Sequence, residues 1–505
     1  MILHGNEKKS TLKINAVSAI LLQLVTAVIG IFLPRFVLGA FGSQVNGLMS
    51  SITQFLSYIA LMEAGTGSVV KAAMFKPLVD GDRQALSAVL RATQKFFRTI
   101  AYVFLGYLAL LSVLYPLLAE GDAFSYEYVF SLVWILGIST FSQYFFCLTY
   151  RILLQADQKI YFDNFVQIIT LIANFVICLA LIFSGASVHI VKLVSAIVFL
   201  LPPILINVYV RKKYDIDRKA EADSGALKQR WDGLAHHLAF FVHKNTDVAV
   251  LTFFTNYTEI SVYVVYNMIV TAIQGMLSSI ASSVTSKFGE LLARGDRARL
   301  EQAFSQYETL IFCVSTALFS VTGIMIVPFV SVYTLGITDA DYVRPVFALL
   351  IVLAELVYAI RAPYSNMVFA AGRFKDTRIG AVIEAVLNVG LSIALVHWLG
   401  IVGVAIGTLI AMLYRTVDYV IYLRRHVLHR SVKHFIKNML LTAAVFAIGL
   451  VICQTFVLPL FTFSGFGAWV ICAALVAVII AALVVAIQLV FNRRAFLASL
   501  HFFSN

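Results

Sequence analysis

No part of this chain is polar for long enough to fold outside a bilayer. The longest polar stretch, 211–232, runs about 22 residues, and a domain without disulfides or metals needs about 40 or more. Charge is scarce as well. Only 13% of residues are charged, where a soluble domain carries about a quarter. There are five cysteines (Cys147, Cys178, Cys313, Cys453 and Cys472), all within apolar runs. Their spacing argues against a disulfide framework and a metal centre, and leaves them as small packing residues. The chain has no phosphate-binding loop, zinc-protease helix motif or nucleophile elbow. ATP hydrolysis and hydrolase chemistry therefore have no motif to rest on, and no enzyme, metal or cofactor is expected.

Apolar residues, by contrast, make up 61% of the 505 residues, and mean hydropathy is +0.90. A membrane-spanning helix needs about 20 mostly apolar residues, and about fourteen such segments can be counted. They are 12–34, 45–68, 97–118, 125–150, 160–183, 187–210, 234–254, 258–284, 305–332, 344–368, 378–397, 401–423, 435–458 and 464–491. The first is too long for a signal peptide and lacks a small-residue cleavage site, so it is read as a helix.

A net charge of +12 would invite a nucleic acid, but the distribution excludes that partner. Most Lys and Arg fall at the termini and in alternate loops, 71–98, 211–230, 287–299, 373–378 and 424–437. The loops between them carry Glu120, Asp122, Asp339 and Asp341 instead. This is the positive-inside pattern. It predicts a multi-pass protein of a cell membrane with both termini in the cytoplasm.

Two strings recur: Gly81-Asp82-Arg83-Gln84-Ala85-Leu86 and Gly295-Asp296-Arg297-Ala298-Arg299-Leu300. A weaker pair, Leu154-Gln155-Ala156-Asp157-Gln158-Lys159 and Phe369-Ala370-Ala371-Gly372-Arg373-Phe374, keeps nearly the same offset. One multi-helix unit therefore occurs twice, a pattern of transporters. Six segments per copy make the repeats parallel. The expected organisation is an N-terminal six-helix lobe (1–210), a cytoplasmic linker (211–233), a C-terminal six-helix lobe (234–430) and two additional helices with a tail (431–505). The amphipathic stretches 86–97 and 300–307 are expected at the cytoplasmic surface, extending the helices that follow them. Outer loops are short, which leaves little room for an enzyme acting on the outer face.

An ionisable residue inside a span is costly unless it faces a cavity or a partner, so these residues are the candidate site. The seventh segment holds His236, His237, His243, Lys244 and Asp247. Lys244 and Asp247 are one turn apart, and either neutralise each other or serve an anion and a cation respectively. Arg35 closes the first segment, either snorkelling outward or lining a vestibule. Glu63 and Lys71 follow in and after the second segment, and Glu355 and Arg361 lie in the tenth. Glu384, Arg415 and Asp418 sit nearer the cytoplasmic side, the last two reading as an ion pair. The positive set (Arg35, Lys71, Lys244, Arg361) suits a phosphate-bearing substrate, and the acidic set (Glu63, Asp247, Glu355) a coupling H⁺ or Na⁺.

Three groups of residues carry a family resemblance. The first is Pro34-Arg35-Phe36, Phe41-Gly42-Ser43, Asn46-Gly47-Leu48, Ser51-Ile52-Thr53-Gln54-Phe55-Leu56 and Leu61-Met62-Glu63-Ala64-Gly65. The second is Asn245-Thr246-Asp247, Phe254, Val262-Tyr263 and Tyr266-Asn267-Met268. The third is Ala371-Gly372-Arg373-Phe374-Lys375 with Gly403-Val404-Ala405-Ile406-Gly407-Thr408. In this order and spacing the whole chain resembles the polysaccharide-transporter (Wzx-like) flippases of the MATE/oligosaccharidyl-lipid flippase superfamily. The resemblance implies an all-α, polytopic membrane protein with two six-helix lobes around a cavity, working by alternating access. It implies an undecaprenyl-diphosphate-linked oligosaccharide as substrate, moved to the outer leaflet of a bacterial inner membrane, with a polysaccharide polymerase and chain-length proteins as partners. It carries over Glu63 and Asp247 as positions. Two extra helices also occur in lipid II flippases, so lipid II is an alternative substrate. A multidrug/cation antiporter of the same fold is a second alternative, against which the embedded Lys244 and Arg361 speak. A glycosyl polymerase is a third, against which the short outer loops speak, and a lipid scaffold remains open.

Overall fold

The structure, a computed structural model, describes residues 5–63, 66–118, 124–217, 220–223, 234–373, 375–428, 430–500 and 502. Ala64, Gly65, Glu120, Asp122, Phe374 and most of the 211–233 linker lie outside them, as do the side chains of His236, His237, His243 and Lys244. Of the described residues 88% are helical and none is in a strand, which makes this an all-α protein. It divides into two compact units, one of Met1–Phe241 with Asn256–Thr258, the other of Val242–Thr255 with Glu259–Asn505.

Unit 1 begins with α1 (Gly5–Ser57). At about 1.5 Å per residue a straight helix of this length would span about 80 Å, far beyond a hydrocarbon core of about 30 Å. The break is at Gly42, where φ of +83° and ψ of 172° leave helical space and only glycine is unstrained. The two arms on either side correspond to the first two expected segments. A 3₁₀ turn (Tyr58–Glu63) follows, and then α2 (Thr66–Asp80), α3 (Arg83–Leu118), α4 (Tyr126–Ser142), α5 (Leu148–Ala156), α6 (Ile160–Phe183), α7 (Val188–Val198) and α8 (Leu201–Lys213). A π-helical turn (Gln143–Cys147) joins α4 to α5. α1 packs on α6, and Asn15 fixes that contact: its Nδ2 donates to the Gln158 carbonyl at 2.6 Å, and its Oδ1 accepts from the Tyr161 N–H at 2.9 Å.

Unit 2 contains most of α9 (Leu234–Phe254) and of α10 (Tyr257–Arg294), then α11 (Arg297–Tyr333), α12 (Pro345–Ile360), α13 (Ala362–Ala370), α14 (Arg378–Leu399), α15 (Ile401–His426), α16 (Lys433–Ile452), α17 (Phe466–Phe491) and α18 (Arg493–Leu500). α11 is central, packing on α12, α16, α17 and α18. Cys313, Cys453 and Cys472 sit with Val476 and Ile480 in its apolar core. On α17 the residues Cys472, Val476, Ile480 and Val484 form a buried stripe every four residues, while Val470, Ile471, Val478 and Val490 are exposed. A helix this apolar on its exposed side matches a hydrocarbon solvent rather than water.

Among the described residues, twelve helices are long and apolar enough to cross a membrane. The expected count of fourteen is not reached, for two reasons. The first two expected segments are two helical arms that meet at the Gly42 break with no loop between them and so count as one, and α9 carries the polar run His243-Lys244-Asn245-Thr246-Asp247. The stretches 86–97 and 300–307 do extend the helices that follow them, as parts of α3 and α11.

The duplication has a backbone basis. Gly81 and Gly295 both end a helix with φ of +69°. Asp82 then accepts from the Ala85 N–H at 2.9 Å, and Asp296 from the Arg299 N–H at 3.0 Å. Each recurring string is thus a left-handed stop followed by an Asp N-cap. The interval from Gly81 to Gly295 recurs between Gln158 (φ +57°) and Gly372 (φ +68°), and is one residue longer between Gly185 (φ +78°) and Gly400 (φ +55°). The second pair shifts by one residue from the sequence match, which set Asp157 against Gly372. Gln158 holds the left-handed position without being glycine, so composition gave no cue.

Candidate functional site

Two glycines set the geometry of the candidate site. On α15, a Cβ at Gly403 would lie 2.5 Å from the Leu395 carbonyl oxygen, and one at Gly407 2.6 Å from Ser392 Oγ. Small residues four apart let α14 and α15 approach backbone to backbone. The close crossing brings Asn388 of α14 to Thr408 of α15, Nδ2 donating to Oγ1 at 2.9 Å. Thr408 Oγ1 in turn donates to the Asp247 carboxylate of α9 at 3.2 Å, and the Tyr263 hydroxyl of α10 donates to the same carboxylate at 2.8 Å. Gly407→Ala should therefore destabilise the protein by about 1–3 kcal/mol and displace Thr408 from Asp247. Thermal unfolding checks this, and an unshifted melting temperature would refute the close-packing argument.

Asp247 and Glu355 are both buried, 7% and 6% exposed, and line one small cavity of about 20 Å³ with Tyr263, Asn267, Ala405 and Thr408. A water needs about 10–15 Å³, so the space fits one water or one bare ion. Gln274 holds α12 in place here, donating to the Glu355 carbonyl at 2.6 Å. The donor set is two carboxylates, two hydroxyls and an amide. These are hard oxygen groups, which suit Na⁺ or a shared proton.

Other expected site residues lie elsewhere. Arg361 sits at the break between α12 and α13, just before Pro363, and its Nη1 contacts Glu384 Oε1 at 2.6 Å. Arg415 Nε contacts the other oxygen of Glu384 at 3.3 Å, and Arg415 Nη1 contacts Asp418 at 2.5 Å. Arg361 stacks on Tyr358 at 4.5 Å and Arg415 on Tyr419 at 4.0 Å. A Cβ at Gly380 would fall 2.1 Å from Asp418 Oδ2 and 2.2 Å from Arg415, so only glycine leaves room for the pair. The expected Arg415–Asp418 pair is thus present, as part of a larger network that includes Arg361. In unit 1, Glu63 accepts from the Tyr144 hydroxyl at 3.2 Å, and Arg35 and Lys71 are half-buried.

Sequence reasoning gave no role to Asn388, Thr408 or Tyr263, although the last two stood in resemblance motifs. A buried Asn within a span was the available signal. It also passed over two buried pairs, Arg151–Asp163 at 2.9 Å and Arg430–Glu308 at 2.6 Å.

No protein-family model matches the chain, and no curated protein sequence matches it. Solved structures do. A lipid II flippase, MurJ, in an inward closed conformation superposes with a TM-score of 0.70 at 14% identity, covering 93% of this chain and 98% of its own. An inward-facing multidrug resistance MATE family transporter of the MOP superfamily gives 0.57 at 15% identity, over 80% of this chain and 93% of its own. A Vibrio cholerae MATE transporter gives 0.57 at 14%, over 83% and 98%. These likenesses, with the repeated units and the spans, make this a multi-pass membrane protein with the fold of MurJ and the MATE transporters.

Proposed function

We propose that this protein is a flippase. It carries an undecaprenyl-diphosphate-linked oligosaccharide from the cytoplasmic to the outer leaflet of a bacterial inner membrane, by alternating access, for export of a cell-surface polysaccharide. The observation that carries the reading is the extent of the flippase likeness, 93% of this chain against 80% for a MATE transporter. The chemistry agrees. A sugar headgroup cannot cross hydrocarbon unaided, so it needs a polar path through protein.

In this reading H⁺ or Na⁺ occupies the cavity between Asp247 and Glu355, with Glu63 as a further acid in unit 1. Arg35, Lys71 and Lys244 bind the diphosphate. Arg361, named with them from sequence, is held by Glu384 and serves the fold. Both termini are cytoplasmic. The product is consumed outside by a polysaccharide polymerase with its chain-length proteins, and no nucleic acid is involved.

The MurJ likeness favours one second reading, lipid II as the substrate. A deletion strain separates the two. Accumulation of a complete lipid-linked repeat unit in the inner leaflet is the expected result. Accumulation of lipid II with lysis would instead select the second reading. Unpolymerised repeat units already on the outer leaflet would overturn both.

A further inference from the structure

Unit 1 contains a second cavity, larger than the acidic one and opposite in charge. It measures about 190 Å³ and lies among α3, α8, the π-helical turn and the segment 214–217. Three arginines line it: Arg91 and Arg98, two turns apart on α3, and Arg211 in the last turn of α8. Among the described residues none of the three is in an ion pair, and Asp217 is the one acid on the lining.

The cavity is built rather than incidental. The Ser87 hydroxyl accepts from the Asp217 N–H at 3.0 Å, holding segment 214–217 along α3. Gln94 donates to the Tyr150 hydroxyl at 2.8 Å. The π-helical turn inserts one residue into the α4–α5 run and turns Phe145 toward Arg98, whose guanidinium stands 5.1 Å from the ring centre. Asn207 Nδ2 donates to the Phe146 carbonyl at 2.7 Å, tying that turn to α8.

Arginine forks match phosphate oxygens, which gives the polar end its ligand. The lining also carries Leu90, Phe145, Phe146 and Ile216, with Phe146 48% exposed, and outside the cavity α8 presents exposed apolar residues, Leu205 at 43% and Val208 at 45%. Basic groups beside exposed apolar surface fit an amphiphile better than a free anion. We propose that this cleft binds the phosphate of an anionic membrane phospholipid, its acyl chains lying along Phe146 and α8. It is a lipid site within one unit, separate from the acidic cavity.

The test uses the full chain, purified in detergent, with native mass spectrometry against added dioleoylphosphatidylglycerol. Binding should exceed that of dioleoylphosphatidylcholine. Losing charge-assisted contacts in Arg98→Gln/Arg211→Gln should weaken it by about tenfold or more. Arg299→Gln, the same charge change on α11, should leave it unchanged. If the double variant fails to fold, Arg211→Gln alone, at an exposed position, should still weaken binding severalfold. Equal retention of the zwitterionic lipid would overturn the proposal. So would unchanged phosphatidylglycerol binding in a folded variant, or displacement of the lipid by millimolar inorganic phosphate.

Discussion

Under the proposed ion-coupled flippase activity, Asp247→Asn is expected to reduce transport about 100-fold while leaving the protein folded, the upper range for a coupling free energy between two sites. The two effects separate because the substitution is isosteric. The amide oxygen still accepts from the Tyr263 hydroxyl, which stands 2.8 Å from the carboxylate, and from Thr408 at 3.2 Å. The negative charge is what disappears, and with it one of the two carboxylates that line the cavity. Folding should change by no more than about 1 kcal/mol, the net worth of one hydrogen bond. The measurement is lipid translocation by purified protein in liposomes, with and without an imposed Na⁺ or H⁺ gradient, beside thermal unfolding in detergent. A variant that remains gradient-driven at the wild-type rate would remove Asp247 from coupling. A variant with a collapsed melting temperature would make the carboxylate structural instead.

The fold class was legible because it rests on local signals. Apolar runs, alternating loop charge and the Gly-Asp strings are each read within a few residues, and each maps onto a helix, a loop or a capped turn. The helix count was less legible. Nothing local separates a break at Gly42 from a loop, since both need one residue outside helical space. The duplication was visible at Gly81 and Gly295 but blurred at Gln158, because a left-handed backbone can be carried by a residue other than glycine. The acidic cavity was half legible. Asp247 and Glu355 stand out as carboxylates within spans, but their company does not. Thr408 is 161 residues from Asp247 and reaches it only because Gly403 and Gly407 let α15 close on α14. Arg361 was the hardest to interpret. An arginine in a span invites a phosphate, and its partner Glu384 lies 23 residues away on another helix. Charge alone does not reveal which embedded cation already has a counter-charge.

Glu384→Gln should destabilise the protein by about 3–5 kcal/mol, the cost of removing one member of a buried ion-pair network. Glu384 stands between two arginines, 2.6 Å from Arg361 and 3.3 Å from Arg415, whose side chains are 11% and 1% exposed. With the carboxylate neutralised, Arg415 keeps Asp418 but Arg361 loses its ion-pair partner, leaving one positive charge uncompensated where both guanidinium groups are largely buried. Gly380 leaves no slack for Arg415 to swing aside, since even a methyl group there would collide with it. The readouts are folded yield and melting temperature in detergent. A wild-type melting temperature would mean that the network contributes no stability. Arg361→Gln/Glu384→Gln restores neutrality and should recover most of the lost stability. The double variant also decides the role of Arg361. If it folds and transports, Arg361 is part of the scaffold, and the proposed phosphate-binding role is left to Arg35, Lys71 and Lys244. If it folds but does not transport, Arg361 reaches the substrate during the cycle, and Glu384 is the counter-ion that holds it between turnovers.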